Sequence, residues 1–365
     1  MRIAIVDPAS WSLAYDLPLA ESLARAGHEV SLYCTRSPHV GKPTSDVPGV
    51  RVVHNAFYRR RLRPLPRRAA RALRHPLDLG KLVRFLRDNA DVVHVQWMPG
   101  RKLDARAWAQ LAQVMPVTFT AHNAQEREEA VDPELLRGFT AVIAHSDGGA
   151  RMLRDAGIGA VWRMSIGAYT QYAETAGPKR LPVSLPDDAP TVVMAGLLRP
   201  YKGADVLLEA WPAVRAAIPN AQLVIAGKPM GVELPAAAPE GATLLPRFLT
   251  EEELGWLLRR ADVCCLPYRR IDMSGVAVSA LACGTPLVVS NVGGLGEYVG
   301  RGAEIVPPGD PGALADMLIA VLADPGRQDR LEAEARAAVA THYSWDAIAR
   351  EYTTRDQALV SAFGT

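Results

Sequence analysis

Short apolar runs alternate with amphipathic stretches along the first half of the chain, and this alternation predicts strands separated by helices. The runs predicted as strands are Arg2–Val6, Val30–Cys34, Asp91–Val95, Val117–Ala121 and Ala141–His145. The stretches predicted as helices are Leu13–Ala26, Arg67–Arg74, Leu79–Asp88, Ala105–Val114 and Asp147–Ala156. Because helices separate the strands, we expect parallel pairing through right-handed crossovers.

The pattern breaks between residues 171 and 190, where prolines 178, 182, 186 and 190 interrupt a segment without apolar periodicity. It then resumes with predicted strands at Thr191–Ala195, Leu223–Ala226, Val263–Pro267, Leu287–Ser290 and Ala303–Val306. Predicted helices begin at Ala204, Thr250, Ser274, Pro311, Arg327 and Trp345. We therefore predict an α/β protein of two tandem Rossmann-like, doubly wound domains facing across a cleft, with ligands at the carboxyl ends of the strands.

The composition fits two domains with full cores, since the chain has 365 residues of which 49% are hydrophobic. No apolar run approaches the roughly 18 residues that a membrane helix needs. The first residues read as a strand and not as a secretory leader, and the four cysteines lack the spacing of metal ligands or a disulfide framework. We expect a cytoplasmic protein, with a membrane-peripheral position as an alternative.

The net charge of +2 hides an asymmetry between the two halves. Residues 1–170 hold 24 Lys and Arg against 16 Asp and Glu, whereas the remainder holds 17 against 23. Much of the excess is one cluster of eight arginines between Arg59 and Arg74, interleaved with Phe57, Tyr58 and three leucines. A solvated loop and contact with an anionic membrane are two open interpretations. Nucleic acid is disfavoured because no recognised binding module accompanies the cluster.

Two features of the second half predict a phosphate site. The helix that opens on Ser274 and Gly275 carries unpaired backbone N–H groups and positive dipole charge at its start. Arg199 and Lys202 lie between a strand and the next helix, where cations oppose the helix dipole. A solvated helix start is the alternative, but a bound diphosphate explains the placement better.

Six ordered segments in the second half are similar to those of a known family. They are Gly196–Gly203, Leu223–Pro229, Ala261–Tyr268, Ala282–Pro286, Val292–Glu297 and Ile305–Asp310. Together they resemble glycosyltransferase family 4, whose members are retaining, nucleotide-sugar-dependent enzymes of the GT-B fold. The resemblance implies an acceptor domain at 1–172, a linker at 173–190, a donor domain at 191–343, and a helix at 344–365 that packs back on the first domain.

The resemblance implies that Arg199 and Lys202 are catalytic cations beside the donor. The residues expected to bind the donor are Gly196, Arg247, Phe248, Asp272, Ser274, Gly275, Val276, Ser279 and Glu297. For Glu297, an ordinary carboxylate at a helix start is an equally good interpretation.

One departure from the family pattern concerns the ribose. Relatives often carry two glutamates with seven residues between them, and the matching positions here are Ile271 and Ser279. The neighbouring Asp272 is a candidate substitute for the first carboxylate. The missing second carboxylate motivates an alternative hypothesis, a nucleotide-sugar-binding protein that has lost catalysis.

The expected acceptor side lies in the first half. His122 and Asn123 end a predicted strand, and the resemblance makes His122 a catalytic contact to the donor sugar or the acceptor hydroxyl, although a lone histidine is often structural. Ser10 and Trp11 stand in a loop that lacks the family's paired glycines, which favours acceptor contacts. Tyr58 and Arg59 are further expected acceptor contacts.

The resemblance implies transfer of a sugar from a UDP-sugar or GDP-sugar to an acceptor hydroxyl with retention of configuration. The expected setting is bacterial synthesis of a glycan, a glycolipid or a glycosylated natural product. We expect no metal requirement, since Arg199 and Lys202 supply positive charge and no paired-carboxylate metal motif is present. An epimerase or phosphorylase on the same fold is a further alternative.

Overall fold

The computed structural model describes residues 1–35, 43–54, 57, 67–122, 132–180 and 183–364, with the side chains of residues 67–72 outside that description. The chain forms two compact units. The first holds Met1–Ser165 together with Trp345–Thr365, and the second holds Ile166–Ser344. The domain boundary expected at residue 172 and the linker expected at 173–190 both fall inside the second unit.

In its described part, the first unit is built on a parallel sheet of seven strands. They are β1 (Arg2–Val6), β2 (Glu29–Tyr33), β3 (Val50–Val53), β4 (Val92–Val95), β5 (Val117–Ala121), β6 (Ala141–Ala144) and β7 (Val161–Arg163). The helices are α1 (Leu13–Arg25), α2 (Arg67–Asn89), α3 (Lys102–Leu111), α4 (Pro133–Leu136) and α5 (Asp147–Asp155). The strand order β3-β2-β1-β4-β5-β6-β7 reverses direction beside β1, which is where doubly wound sheets open a ligand crevice.

The second unit repeats this plan with six strands in the order β10-β9-β8-β11-β12-β13, again counting described residues only. The strands are β8 (Thr191–Ala195), β9 (Gln222–Ala226), β10 (Ala242–Leu245), β11 (Val263–Leu266), β12 (Leu287–Ser290) and β13 (Ala303–Val306). The helices are α6 (Gln171–Glu174), α7 (Ala204–Ala217), α8 (Glu251–Arg260), α9 (Gly275–Ala282), α10 (Pro311–Leu322) and α11 (Pro325–Thr341). Pro200–Lys202 and Gly293–Tyr298 form short 3-10 helices. The prediction of two Rossmann-like domains is confirmed.

Several elements differ from the sequence prediction. The helices expected at 67–74 and 79–88 are one helix, α2, which continues through the exposed Pro76. Three strands were not predicted, β3, β7 and β10, because each is a sheet edge with half-buried residues and no continuous apolar run. In the expected linker, Val183 and Leu185 pack against the second core, so its spaced apolar residues contribute to that unit.

The last helix, α12 (Trp345–Phe363), belongs to the first unit and packs against α1. The polar contacts that join α12 to that unit include Tyr352 Oη to Tyr15 Oη at 2.9 Å, Thr353 Oγ1 to His28 Nε2 at 2.8 Å, and Asp356 Oδ2 to His94 Nε2 at 2.9 Å. His94 and Asp356 are fully buried, and His94 Nδ1 also contacts Thr118 Oγ1 at 2.7 Å. A buried polar chain therefore fixes how α12 meets strands β4 and β5.

Asp356→Ala should lower the free energy of unfolding of the first unit by about 1–3 kcal/mol, because it leaves a buried imidazole nitrogen without its partner. Asp346→Ala on the same helix is the matched control, since Asp346 is 61% exposed and pairs with Arg25 across 3.6 Å. Its effect should stay within about 0.5 kcal/mol. Urea unfolding followed by circular dichroism measures both, and equal effects would contradict the account of α12.

Candidate functional site

Close backbone contacts shape the carboxyl edge of the second sheet. A Cβ atom on Gly227, whose φ is +152°, would lie 1.7 Å from the carbonyl oxygen of Gly196. A Cβ atom on Gly203, whose φ is +72°, would lie 2.1 Å from the carbonyl oxygen of Pro267. Glycine is therefore required at both positions, for its conformation and for space. These contacts bring the loop after β8 against the ends of β9 and β11.

Lys202 lies at the centre of this edge. A Cβ atom on Gly196, whose φ is +102°, would lie 3.3 Å from Lys202 Nζ and 3.1 Å from Val276 Cγ2. Lys202 Nζ is also 5.2 Å from the centroid of the buried Tyr268 ring, a cation–π distance. The structure thus brings together Gly196, Lys202 and the first turn of α9, which the sequence predicted as one site. Arg199 is half-buried and directly precedes the 3-10 helix that ends at Lys202.

The start of α9 has the geometry of an anion site. Ser274 is the N-cap, and its Oγ accepts a hydrogen bond from Ala277 N at 3.3 Å. The N–H groups of Gly275 and Val276 have no acceptor within the helix, so they point out of the helix end with its positive dipole charge. The Tyr169 ring packs beside this end, because a Cβ atom on Gly275 would lie 3.0 Å from Tyr169 Cε2.

Two expected donor contacts are buried within the second unit. Ser279 is 1% exposed, and its hydroxyl group donates to Gly275 O at 2.7 Å. This hydrogen bond joins Ser279 to the preceding turn of α9. Asp272 is fully buried, and its carbonyl oxygen accepts from Gly294 N at 2.8 Å. The roles of both residues at the donor remain predictions.

The remaining donor candidates lie at loop positions of the second unit. Arg247 forms a bidentate ion pair with Glu253, at 2.7 and 2.8 Å, and this hydrogen bonding lowers the pKa of Glu253. Phe248 is 43% exposed, with Lys228 Nζ 5.1 Å from its ring centroid. Glu297 is half-buried in the 3-10 helix after β12.

In the first unit, His122 follows β5 and is packed among aromatic rings. Its ring stacks on Trp97, with centroids 5.1 Å apart and an interplanar angle of 13°, and meets the edge of Tyr15 at 5.1 Å. His122 Nε2 lies 2.9 Å from Gln96 Oε1, so in this arrangement Nε2 carries the hydrogen and Nδ1 is an acceptor. Burial, assisted by the neighbouring His145, holds the pKa of His122 well below its ordinary value. The ring is therefore neutral at pH 7.

His145, which follows β6, is also held neutral. Its Nδ1 donates to the carbonyl oxygen of Met164 at 3.0 Å, and burial lowers its pKa to about 4. The rings of His145 and His122 lie 5.4 Å apart. Two uncharged imidazoles therefore stand at the carboxyl ends of adjacent strands.

A buried pair of carboxyl groups supports the loop between β1 and α1. Asp7 accepts from Ala9 N, Ser12 N and Ser12 Oγ at 3.0–3.3 Å, and Ser12 Oγ also lies 3.0 Å from Asp16 Oδ2. Both aspartates are 0% exposed. Burial, followed by the charge of Asp7, raises the pKa of Asp16 well above its ordinary value. Asp16 therefore keeps its proton while Asp7 accepts hydrogen bonds.

The same loop holds the two residues expected at the acceptor. Ser10 is 8% exposed, and its Oγ donates to Thr35 O at 2.7 Å and accepts from Thr35 N at 2.9 Å. The structure thus gives the Ser10 hydroxyl group a role in fixing the loop. Trp11 is 65% exposed and meets Trp97 at nearly a right angle, with centroids 5.2 Å apart.

Three predicted acceptor contacts, Tyr58, Arg59 and Asn123, lie outside the described residues. The arginine cluster also lies mostly outside the description, since Arg74 is its only member whose side chain is described. Within the described ranges, no group of three or more His, Cys, Asp or Glu side chains is placed to hold a metal ion. In the same ranges, no helix combines the length and apolar character needed to span a bilayer.

Two family models cover most of the chain. The model for Glycosyltransferase Family 4 matches residues 17–164, and the model for Glycosyl transferases group 1 matches residues 189–324. A D-inositol 3-phosphate glycosyltransferase of Xylanimonas cellulosilytica is 30% identical over 91% of this chain and 88% of its own length. The chain belongs to glycosyltransferase family 4.

Further relatives and structures agree with this membership. A phosphatidyl-myo-inositol mannosyltransferase of Mycolicibacterium smegmatis is 29% identical to this family 4 glycosyltransferase over 96% of the chain and 92% of the relative. Sucrose-phosphate synthase of Thermosynechococcus elongatus superposes with a TM-score of 0.72 at 22% identity, covering 99% of this chain and 100% of that one. The HepE protein of Anabaena, solved with UDP and glucose, superposes with a TM-score of 0.70 at 17% identity, covering 98% of this chain and 100% of that one. These two structures confirm the GT-B fold.

Sequence reasoning missed several residues of this glycosyltransferase that the structure places at the two sites. Tyr268 and Tyr169 lie beside Lys202 and Gly275. Gln96 and Trp97 contact His122, and Asp16 contacts Ser12 in the loop between β1 and α1. A signal existed for Gln96 and Trp97, since both directly follow a buried strand as His122 does. Asp16 gave a weaker signal, an acidic residue on the apolar face of α1.

Asp16→Asn should make the first unit lose less stability as the pH rises. The pKa of Asp16 is raised in the folded protein, so its stabilising proton is fully bound below the unfolded value near 4 and is lost as the pH rises through the folded value. Asparagine has no such proton, and the stability of the variant relative to wild type should therefore increase with pH. The gain is about 1.4 kcal/mol for each unit by which the pKa is raised.

Urea unfolding between pH 5 and pH 8 tests this expectation, with Asp346→Asn as the exposed control on the same unit. Parallel stability profiles for wild type and Asp16→Asn would show that the carboxyl pair does not hold an extra proton.

Proposed function

We propose that this glycosyltransferase transfers a sugar from a nucleoside diphosphate sugar to an acceptor hydroxyl group with retention of configuration. The observation that carries the proposal is the meeting of Lys202, Gly196 and the start of α9 at the carboxyl edge of the second sheet. A cation, a side-chain-free backbone and outward N–H groups are the features that bind a diphosphate closely. Arg199, three residues before Lys202 in the chain, supplies a second positive charge.

The proposed chemistry is electrostatic. As the bond between the anomeric carbon and the phosphate oxygen breaks, negative charge develops on the β-phosphate and positive charge on the sugar. Lys202, Arg199 and the N–H groups of Gly275 and Val276 stabilise that developing negative charge from fixed positions. These charges do the work that a metal ion does in other transferases, so we propose that no metal is required.

The acceptor step completes the balance of atoms. The acceptor oxygen forms the new bond to the anomeric carbon on the face from which the phosphate departs, and its proton passes to a leaving phosphate oxygen. His122, neutral and with Nδ1 as an acceptor, is suited to hold a hydroxyl group of the donor sugar or acceptor. Its Nε2 is fixed by Gln96, which sets the direction in which Nδ1 points.

The names of relatives guide the substrate classes. One relative is named for inositol 3-phosphate and another for phosphatidyl-myo-inositol, and the Anabaena structure holds UDP. We propose a UDP-sugar or GDP-sugar donor and an acceptor in a glycan, glycolipid or glycosylated natural product.

A second candidate function is nucleotide-sugar binding without catalysis. It is favoured by Ser279, where the family's carboxylate is missing and the hydroxyl group bonds back to Gly275. Binding of UDP or GDP with no donor hydrolysis and no transfer to any acceptor would support this second candidate. Turnover without an acceptor, or with inorganic phosphate, would instead support an epimerase or phosphorylase.

Lys202→Ala should lower kcat by about 10²- to 10³-fold, because it removes one fixed charge from the developing phosphate charge. The thermal stabilisation by UDP or GDP should fall as well. Lys179→Ala is the control, an exposed lysine of the same unit, and should behave as wild type. Release of nucleoside diphosphate, measured by a coupled assay, gives the rates; near-normal turnover in Lys202→Ala would refute the diphosphate site.

We further propose that α2 places the first unit on an anionic membrane surface. Its outward stripe carries Leu73 and Leu77, which are 61% and 66% exposed, followed by Lys81, Arg84 and Phe85. Apolar side chains beside cations on one helix face suit insertion among anionic headgroups. The eight arginines between Arg59 and Arg74 add positive charge to the same stretch of sequence.

Replacing Leu73 and Leu77 together with glutamine should weaken partitioning onto phosphatidylglycerol vesicles about tenfold or more, because two exposed apolar anchors are lost. Met152→Gln on α5, an exposed apolar residue of the same unit, is the control. Co-sedimentation at low and physiological salt measures the effect. Unchanged binding of the double variant would show that this face does not meet the membrane.

A further inference from the structure

One exposed indole stands at the carboxyl edge of the first sheet. All seven tryptophans lie in the described residues, and Trp11 alone is exposed while the other six are buried or half-buried. A large apolar ring that is exposed to water loses the hydrophobic free energy that burial would provide. A loop that only connects two elements gains nothing from this exposure. Its position between β1 and α1, at the ligand edge of a doubly wound sheet, indicates a binding role.

The loop is built to hold Trp11 in place. Ser10 has a φ of +55°, a conformation that non-glycine residues rarely adopt and that is enriched at functional sites. Two hydrogen bonds between Ser10 Oγ and the Thr35 backbone maintain it, at 2.7 and 2.9 Å. On the other side of Trp11, Ser12 N is held by the buried Asp7 carboxylate at 3.0 Å. Both neighbours of the indole are thus fixed by buried polar groups.

Trp97 completes an aromatic corner with Trp11, which we call the indole corner. The two rings meet at 79°, and Trp97 Nε1 donates to Ser12 Oγ at 2.9 Å, which ties the second indole to the same loop. Trp97 also stacks on His122. Trp97 therefore connects the indole corner to the imidazole proposed to contact a reacting hydroxyl group.

We infer that the indole corner binds the apolar C–H face of a ring-shaped acceptor, a sugar or a cyclitol, and selects it over open-chain hydroxyl compounds. The inference rests on the proposed glycosyl transfer and names its acceptor class. Two indoles at a right angle contact one face and one edge of a six-membered ring, whereas an open chain offers no flat apolar face. The ring's hydroxyl groups remain free at its edge, and Trp97 connects the corner to His122.

Ligand-observed saturation-transfer NMR on the full chain provides the first test. The probes are myo-inositol and methyl α-D-glucopyranoside as ring compounds, and sorbitol as the open-chain compound. Ring C–H protons should receive saturation from wild type and from Phe363→Ala, an aromatic control that is 39% exposed. Trp11→Ala should lose the signal and sorbitol should give none. The inference would be overturned if Trp11→Ala gave the same signal as wild type, if sorbitol gave the same signal as the ring compounds, or if no ring compound gave a signal.

Kinetics separates this inference from the proposed function. Trp11→Ala should raise the KM for a ring acceptor roughly 10- to 100-fold, leave UDP or GDP binding and donor hydrolysis unchanged, and be largely rescued in Trp11→Phe. An unchanged acceptor KM in Trp11→Ala, in an enzyme that Lys202→Ala inactivates, refutes the indole corner alone. Full activity in Lys202→Ala refutes the diphosphate site and leaves the NMR result to decide on the corner.

Discussion

The contact between two stretches of bare backbone after β8 and β9 governs the geometry of the second unit. Gly227 lies so close to the Gly196 carbonyl group that no side chain fits between them, and Gly196 in turn leaves room for Lys202 Nζ and Val276. Any side chain at Gly196 would occupy the space that faces the cation and the start of α9. The proposed diphosphate site therefore needs the missing side chain at Gly196 as well as the positive charge of Lys202.

The first unit holds three of its buried polar side chains in place in their uncharged forms. His122 and His145 are neutral because burial lowers their pKa values, and Asp16 keeps its proton because burial, followed by the charge of Asp7, raises its pKa. Uncharged groups in a buried network hold hydrogen bonds of fixed direction at lower cost than buried ions. Hydroxyl groups of a neutral sugar are the ligands that such a surface suits.

Much of the fold followed from the sequence because parallel strands buried on both faces leave continuous apolar runs, as at β1, β5 and β8. Edge strands such as β10 carry half-buried residues and leave no such trace. At the site, Lys202 and Ser274 were predictable from spacing and helix chemistry. The residues around His122 and the coupling between Asp7 and Asp16 could not be predicted, because they depend on which side chains the fold brings into contact.

A crystal structure with bound UDP or GDP is the decisive test of the proposed diphosphate site. We expect the β-phosphate oxygens within hydrogen-bonding distance of Lys202 Nζ and of the backbone N–H groups of Gly275 and Val276, with the Tyr169 ring beside them. A nucleotide bound elsewhere in the second unit, with Tyr169 still packed over an empty start of α9, would contradict it.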